Sequence, residues 1–204
     1  GKEFEVVFVS LDRSEEDFNE YHISQPWLAL PFSESGAKEE LSSMFDVHGI
    51  PSLIILDEKR SIINGNANVD VSNVCDFPWY PKSVKDLNLH PEDIENVASL
   101  IVFIEGVDDD EQKDVVKVLE QVEKTHRAAG GDVQFYYATN EGEASSYLRF
   151  FTNLFYYETH AQMIIVDMPD ERAYYVSDVK EVNEKCVTEF INRFKSGGLE
   201  RKQL

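Results

Sequence analysis

Hydrophobic and polar positions in the second half of the chain alternate between the periods of strands and helices. Short apolar runs predict strands at 99–104, 133–138, 163–166 and 174–176. Apolar residues at helical spacing predict helices at about 110–128, at 143–154 and from 183 onwards. The apolar faces of the first and last helices consist of Val115, Val118, Leu119, Val122, Val187, Phe190, Ile191 and Phe194. The order βαβαββα predicts an α/β fold with a mixed sheet flanked by helices.

The first half carries similar patterns, but fewer of them. Residues 4–10 form a near-continuous apolar run, which is typical of a strand covered on both faces in a parallel sheet. Ser14 followed by three acids predicts the start of a helix, and a second helix is predicted at about 37–45. Residues 52–56 and 61–63 flank a charged turn and predict a hairpin.

An internal repeat links the two halves. Leu-Ile-Ile-Leu-Asp at 53–57 matches Met-Ile-Ile-Val-Asp at 163–167, and each segment follows a helix and precedes a charged turn. The order βαβαββα is the smallest form of the thioredoxin-like fold. The sequence therefore predicts a complete thioredoxin-like domain at 98–204, the C-terminal half of another at 1–82, and a linker at 83–97.

Four motifs of the first half resemble the tryparedoxin and nucleoredoxin branch of the thioredoxin-like superfamily. They are Phe-Glu-Val-Val-Phe-Val-Ser-Leu-Asp-Arg-Ser at 4–14, Pro-Trp-Leu-Ala-Leu-Pro-Phe at 26–32, Gly-Ile-Pro-Ser-Leu at 49–53 and the closing tail Asp-Phe-Pro-Trp-Tyr-Pro-Lys at 76–82. The second half resembles the C-terminal domain of that family more loosely, through Tyr-Tyr-Val-Ser-Asp-Val at 174–179 and the helix around 190–194.

The resemblance implies thiol–disulfide chemistry at a Cys-x-x-Cys that lies upstream of the strand beginning at Phe4. This sequence contains no such motif, so no catalytic residue is assigned and the chain alone is predicted to be inactive. The resemblance also implies that Pro51 is a cis proline facing the cysteine pair, and that the backbone of Ile50 pairs with an extended substrate. Ile50 and Pro51 are thus the predicted substrate-binding residues. The alternative is that Pro51 only ends a helix and begins a strand.

The second half lacks both redox elements of the family. Ala161 aligns with Pro51, and residues 106–109, Gly-Val-Asp-Asp, occupy the turn where the cysteine pair would lie. Acids at a helix N-terminus stabilise the helix dipole and disfavour a thiolate. We therefore expect residues 98–204 to be redox-inactive.

The remaining candidates for chemistry are two cysteines and five histidines. Cys75 and Cys186 lie far apart in the sequence, which favours free thiols in a reducing compartment, the cytoplasm or nucleus. Cys186 is expected to be a small buried apolar residue of a helix. The histidines show no metal-ligand spacing, so no metal and no cofactor are predicted.

Charge limits the choice of partners. The chain has 39 acidic and 19 basic residues, a formal net charge of −20 that is spread over both halves. Such a chain is repelled by nucleic acids and anionic membranes, and no apolar stretch approaches the roughly 20 residues of a membrane span. We therefore expect neither nucleic acid nor membrane as a partner. The resemblance implies protein partners, with Wnt signalling through a Dishevelled-like protein.

These patterns lead to two hypotheses about function. The first is a fragment of a nucleoredoxin-like protein-disulfide reductase, in which this chain binds clients or partners. The alternative is a non-enzymatic thioredoxin-fold scaffold or interaction module in signalling. In a thioredoxin-like sheet the strands at 4–10 and 53–56 would flank a strand that is missing here. We expect an upstream segment, a strand-exchanged homo-oligomer or a rearranged pairing to complete residues 1–97.

Overall fold

The computed structural model describes residues 4–155 and 159–204 in two compact units that divide between Pro81 and Lys82. Unit 1 contains two helices, α1 (Glu15–His22) and α2 (Ser35–Met44), and four short strands, β1 (Val7–Phe8), β2 (Leu28–Ala29), β3 (Ile55–Leu56) and β4 (Ile62–Asn64). The elements of unit 2 are β5 (Val84–Asp86), β6 (Ser99–Phe103), α3 (Asp109–Ala128), β7 (Gln134–Ala138), α4 (Glu143–Thr152), β8 (Gln162–Asp167), β9 (Ala173–Val176), α5 (Glu184–Lys195) and β10 (Lys202–Gln203).

Unit 2 is built on a mixed sheet in the order β10-β9-β8-β6-β7-β5. Strand β6 lies between β7, to which it is parallel, and β8, to which it is antiparallel, so that Ile101 is paired with Tyr136 on one side and Ile164 on the other. Its side chains alternate between the two faces. Leu100 and Val102 pack in the core that includes α3 and α5, whereas Ile101 and Phe103 pack in the core that includes α4. The predicted thioredoxin-like α/β fold with a mixed sheet is confirmed here.

The segment predicted to be a linker, 83–97, is an integral part of unit 2. Strand β5 extends the sheet beside β7, and Leu87 and Ile94 are buried in the core on the α4 face. The Asn88 side-chain oxygen accepts a hydrogen bond from the Ser145 N–H in the first turn of α4 (3.0 Å). Few apolar residues mark this segment in the sequence. Its place is set by pairing and packing with residues about 50 positions away in the chain.

Unit 1 has almost no buried core. Of the 29 buried hydrophobic residues among those the structure describes, only Phe18 and Ala67 belong to it. Its strands form two separate two-stranded sheets, one of β1 with β2 in parallel and one of β3 with β4 antiparallel. The predicted strands at 4–10 and 52–56 are each only two residues long. The ladder of backbone hydrogen bonds that would extend them has no third strand in the described part of unit 1.

The helix starts of unit 1 nevertheless follow the sequence. Ser14 caps α1 by accepting a hydrogen bond from the Asp17 N–H (3.1 Å), as the predicted capping pattern requires. The closing tail is tied to the hairpin through Asn64, whose side-chain NH₂ donates to the Trp79 C=O (2.8 Å) and to the Asp70 carboxylate (2.9 Å). The cap of α1 and the hydrogen bonds of Asn64 are therefore formed, although unit 1 buries few hydrophobic residues.

Helix α5 should be essential to unit 2, because Val187, Phe190 and Ile191 are buried against the sheet. We expect Phe190→Ala to remove about 3–5 kcal/mol of unfolding free energy and to lower the melting temperature of unit 2 by about 10 °C or more. Thr188→Ala, an exposed change on the same helix, is the control and should shift it by a degree or two at most. Equal melting temperatures for the two variants would contradict this docking.

His126 gives unit 2 a pH-dependent hydrogen bond. Its Nε2 accepts the Val133 N–H (3.3 Å), which requires that nitrogen to be unprotonated. Burial, and next the charge of Lys195, lower the pKa of His126 below its ordinary value, while Asp132 opposes the shift. Two further charged groups also act on the ring, Glu123 and Arg127.

This lowered pKa predicts a loss of stability in acid. Above pH ~6.5 the imidazole is neutral in both states; below it, the unfolded chain takes up the proton more readily than the folded one. Between pH ~7.5 and ~5.5 the wild-type chain should therefore lose more unfolding free energy than His126→Gln, which keeps an acceptor but cannot titrate. Chemical denaturation at both pH values measures this, and an equal loss in the two proteins would show that His126 does not contribute.

Candidate functional site

The predicted substrate-binding residues lie on an exposed turn between α2 and β3. The Ile50–Pro51 peptide bond is cis, as the resemblance implied. The Asn68 side-chain NH₂ donates to the Pro51 C=O (2.8 Å), and the Ala67 N–H donates to the Leu53 C=O (2.9 Å). These two hydrogen bonds fix the turn to the segment that follows the β3–β4 hairpin.

Ile50 itself is left available on this turn. Its side chain is 70% exposed, and within the described residues no hydrogen bond engages its backbone N–H or C=O. Its neighbours on the turn are also exposed, and Ser52 donates to the Gly49 C=O (2.5 Å). A fixed turn with an unengaged peptide group and an apolar side chain can bind an extended polypeptide by backbone pairing.

The hairpin that continues from this turn has an open edge. In unit 2 the equivalent strand, β8, is paired on both sides, with β6 and with β9. In unit 1, β3 pairs with β4 on one side, and no described residue of the unit pairs with its other side. By the internal repeat, the described residues of unit 1 contain counterparts of β7, α4, β8 and β9, and no counterpart of β6 or α3 occurs among them.

In unit 2, the turn that leads into α3 is closed by hydrogen bonds with side chains of unit 2 itself. At the start of α3 the Asp108 carboxylate accepts hydrogen bonds from the N–H groups of Asp110 (3.1 Å) and Glu111 (3.0 Å). Gln112 donates from its side chain to the C=O groups of Ile104 (2.9 Å) and Thr139 (3.1 Å). The helix N-terminus is thus occupied by a carboxylate, at the turn where the resemblance implied a cysteine pair.

A buried ion pair, which the sequence analysis missed, lies beside this turn. Arg149 of α4 donates to both oxygens of Glu105, at 3.2 and 2.6 Å, and both side chains are at least nine-tenths buried. Arg149 also donates to the Gln162 side chain (2.6 Å), next to the buried Ala161. The signal in the sequence is a single arginine within the apolar run of a helix.

The two cysteines do not form a redox pair. Cys75 is exposed in unit 1, Cys186 is half-buried in unit 2, and both are free. No cluster of three or more potential metal ligands occurs in the ranges 4–155 and 159–204, and none of the helices described there is long and apolar enough to cross a bilayer.

Comparison with known proteins gives the family to which this chain is similar. Residues 1–62 match a family model described as thioredoxin-like. The nucleoredoxin of Xenopus laevis is 34% identical over 203 residues, which cover 95% of this chain and 48% of that protein. The tryparedoxin of Trypanosoma brucei brucei is 38% identical over 83 residues, 39% of this chain and 58% of that protein.

Among solved structures, the bb fragment of ERp72 matches 91% of this chain and 82% of its own, with a TM-score of 0.47 and 15% identity. A likeness at that level does not bear on function. The chain spans about half the length of the nucleoredoxins that it matches. With a thioredoxin-like family match in its first part and similarity to nucleoredoxin over nearly its whole length, the chain is a nucleoredoxin-like protein of thioredoxin-like fold.

Proposed function

We propose that this chain supplies the client-binding part of a nucleoredoxin-type protein-disulfide reductase, and that the thiols lie outside it. The observation that carries the proposal is the turn at Ile50 and Pro51, which combines an exposed apolar side chain with an unengaged peptide group. An extended client could pair with Ile50 and so bring its disulfide to a cysteine pair opposite Pro51.

The incomplete state of unit 1 supports the same proposal. In unit 2, strand β6 lies between β7 and the hairpin of β8 and β9, and helix α3 follows β6 in the chain. The described residues of unit 1 contain no counterpart of β6 or α3, and only two of its described hydrophobic residues are buried. The nucleoredoxins are about twice as long as this chain. We propose that a preceding strand and helix fill this place, with the Cys-x-x-Cys at the N-terminus of the helix.

The reaction would follow thiol–disulfide exchange. The first cysteine, as its thiolate, attacks one sulfur of the client disulfide and releases the other as a thiolate, which takes up a proton. The second cysteine then attacks the mixed disulfide, which frees the reduced client and leaves the pair oxidised. A dithiol reductant must restore the pair. Within this scheme Ile50 and Pro51 are positioning residues that hold the client.

A non-enzymatic scaffold is the second candidate, and unit 2 favours it. The turn at 106–109 carries no thiol, and Asp108 caps the helix there. Under either proposal the partners are proteins, with a Dishevelled-like protein in Wnt signalling as the one implied by resemblance, and the compartment is the cytoplasm or nucleus. The residues immediately before Gly1 discriminate the two, since only the reductase requires a Trp-Cys-x-x-Cys there.

Insulin reduction with dithiothreitol tests the proposal. The chain alone should show the same background rate as Cys75→Ser/Cys186→Ser, because it holds no dithiol pair.

In the parent protein, Ile50→Asp should raise KM about tenfold, equivalent to about 1.4 kcal/mol of binding, with kcat nearly unchanged. Ile23→Asp, a matched change at another exposed isoleucine of unit 1, should leave both constants unchanged.

Three outcomes would contradict the proposal, each in a different part. Turnover by the chain above the double variant would place redox chemistry in Cys75 or Cys186. A parent protein with no reductase activity would exclude the enzyme and leave the scaffold. Equal KM values for Ile50→Asp and wild type, in an active parent, would remove Ile50 from client binding.

A further inference from the structure

The outer face of α4 and the loop that follows it carry a cluster of exposed aromatic side chains, here called the aromatic patch. Its members and their exposed fractions are Tyr147 (50%), Phe150 (76%), Phe151 (41%) and Phe155 (64%). The ring centroids of Tyr147 and Phe151 are 4.6 Å apart, and those of Phe150 and Phe151 are 5.2 Å apart. Tyr147 and Phe151 lie four positions apart on one face of α4, and the structure places that face on the outside.

The aromatic patch is not needed to complete the core of unit 2. Helix α4 already buries Leu148 in the core on its face of the sheet, together with Ile101, Phe103 and Ile164. Each exposed aromatic ring therefore leaves apolar area in water without a folding role. The contacting rings of Tyr147, Phe150 and Phe151 form a contiguous exposed apolar surface, and such a surface marks an interaction site. Aromatic residues are also enriched where binding energy concentrates.

A buried ion pair also fixes part of the aromatic patch in position. Arg149, the neighbour of Phe150 in α4, lies over the Phe103 ring at 4.3 Å and is paired with Glu105. It donates to the C=O groups of Leu154 (3.4 Å) and Phe155 (3.5 Å). The buried ion pair thus fixes the loop that carries Phe155 to the end of β6. A surface fixed in this way loses little conformational entropy when it binds.

Charge indicates what kind of partner fits. The exposed positions around the patch in the sequence include Glu141 and Glu143, and Glu143 lies one turn before Tyr147 on the same helix face. The basic residue of α4, Arg149, is buried and paired. A second copy of the chain would bring another net charge of −20 to this surface, which opposes self-association. Arg and Lys, in contrast, are attracted both by the acids and by exposed aromatic faces.

We propose that the aromatic patch of unit 2 binds a polypeptide segment in which apolar side chains alternate with Arg or Lys. Its apolar side chains pack on Phe150 and Phe155, and its cations lie over the ring faces and beside Glu141 and Glu143. This site is independent of the turn at Ile50 and Pro51, and it requires no thiol chemistry.

Fluorescence anisotropy on the full chain tests the proposal, with a labelled synthetic peptide in which Leu and Arg alternate as the probe. The wild-type chain should bind it, and Phe150→Ser/Phe155→Ser should weaken binding at least about tenfold. Val179→Ser, at an exposed apolar position in the loop before α5, is the matched control and should change binding less than about twofold. Circular dichroism verifies that the variants keep their folded state.

Peptide variants separate charge from apolar contact. Replacing Arg by Glu, or Leu by Ser, should each abolish measurable binding. Equal affinity for the Glu peptide would overturn the basic partner, and binding that survives Phe150→Ser/Phe155→Ser would overturn the patch. A wild-type Kd weaker than about 1 mM would overturn the proposal as a whole. Sedimentation that shows a dimer abolished by the same double variant would identify a second copy as the occupant instead.

Discussion

The backbone pairing of one central strand along both of its edges is the interaction on which the rest of this fold depends. In unit 2 that strand is β6, which joins the parallel strand β7 to the antiparallel hairpin of β8 and β9. Its backbone pairs with a neighbouring strand along each edge. Residues 100–103 contribute their side chains alternately to the two cores. Because unpaired buried backbone groups cost about 1–3 kcal/mol each, a sheet of this type needs such a strand before its helices can dock.

Unit 1 shows the same architecture without that strand. Its hairpin and its parallel pair remain separate sheets, and its helices bury little apolar surface. Yet its turns are well fixed by local hydrogen bonds, such as those from Ala67 and Asn68 to the turn at Pro51. The result is a prepared binding turn on a unit whose own core is incomplete, and this combination is the physical basis for the proposed client-binding role.

The two units also differ in what their equivalent ends can do. In unit 1 Ile50 is exposed and its peptide group makes no hydrogen bond within the described residues, whereas in unit 2 Ala161 is buried and Asp108 occupies the helix N-terminus. The outward surface of unit 2 is instead the aromatic patch, supported by Glu105 and Arg149. The two proposals therefore assign the two units different kinds of recognition, by an extended edge in unit 1 and by a fixed aromatic surface in unit 2.

Much of this architecture could be predicted from the sequence, because the strands and helices of unit 2 have strong periodic patterns and Ser14 marks a helix start. The motif at 49–53 identified the turn and its cis proline. The sequence could not reveal β5, which has three residues and depends on pairing with β7, or the cap that Asn88 provides to α4. It also missed the ion pair of Glu105 and Arg149, since 44 residues separate the partners and only the fold brings them together.

Amide hydrogen exchange on the monomeric chain tests the central claim most directly, namely that unit 1 lacks the strand that unit 2 has in β6. The account predicts that the amides of residues 6–9 exchange at least about a hundredfold faster than those of residues 101–104, because opening free energies follow local pairing and burial. A monomer in which residues 6–9 are as protected as residues 101–104 would contradict it.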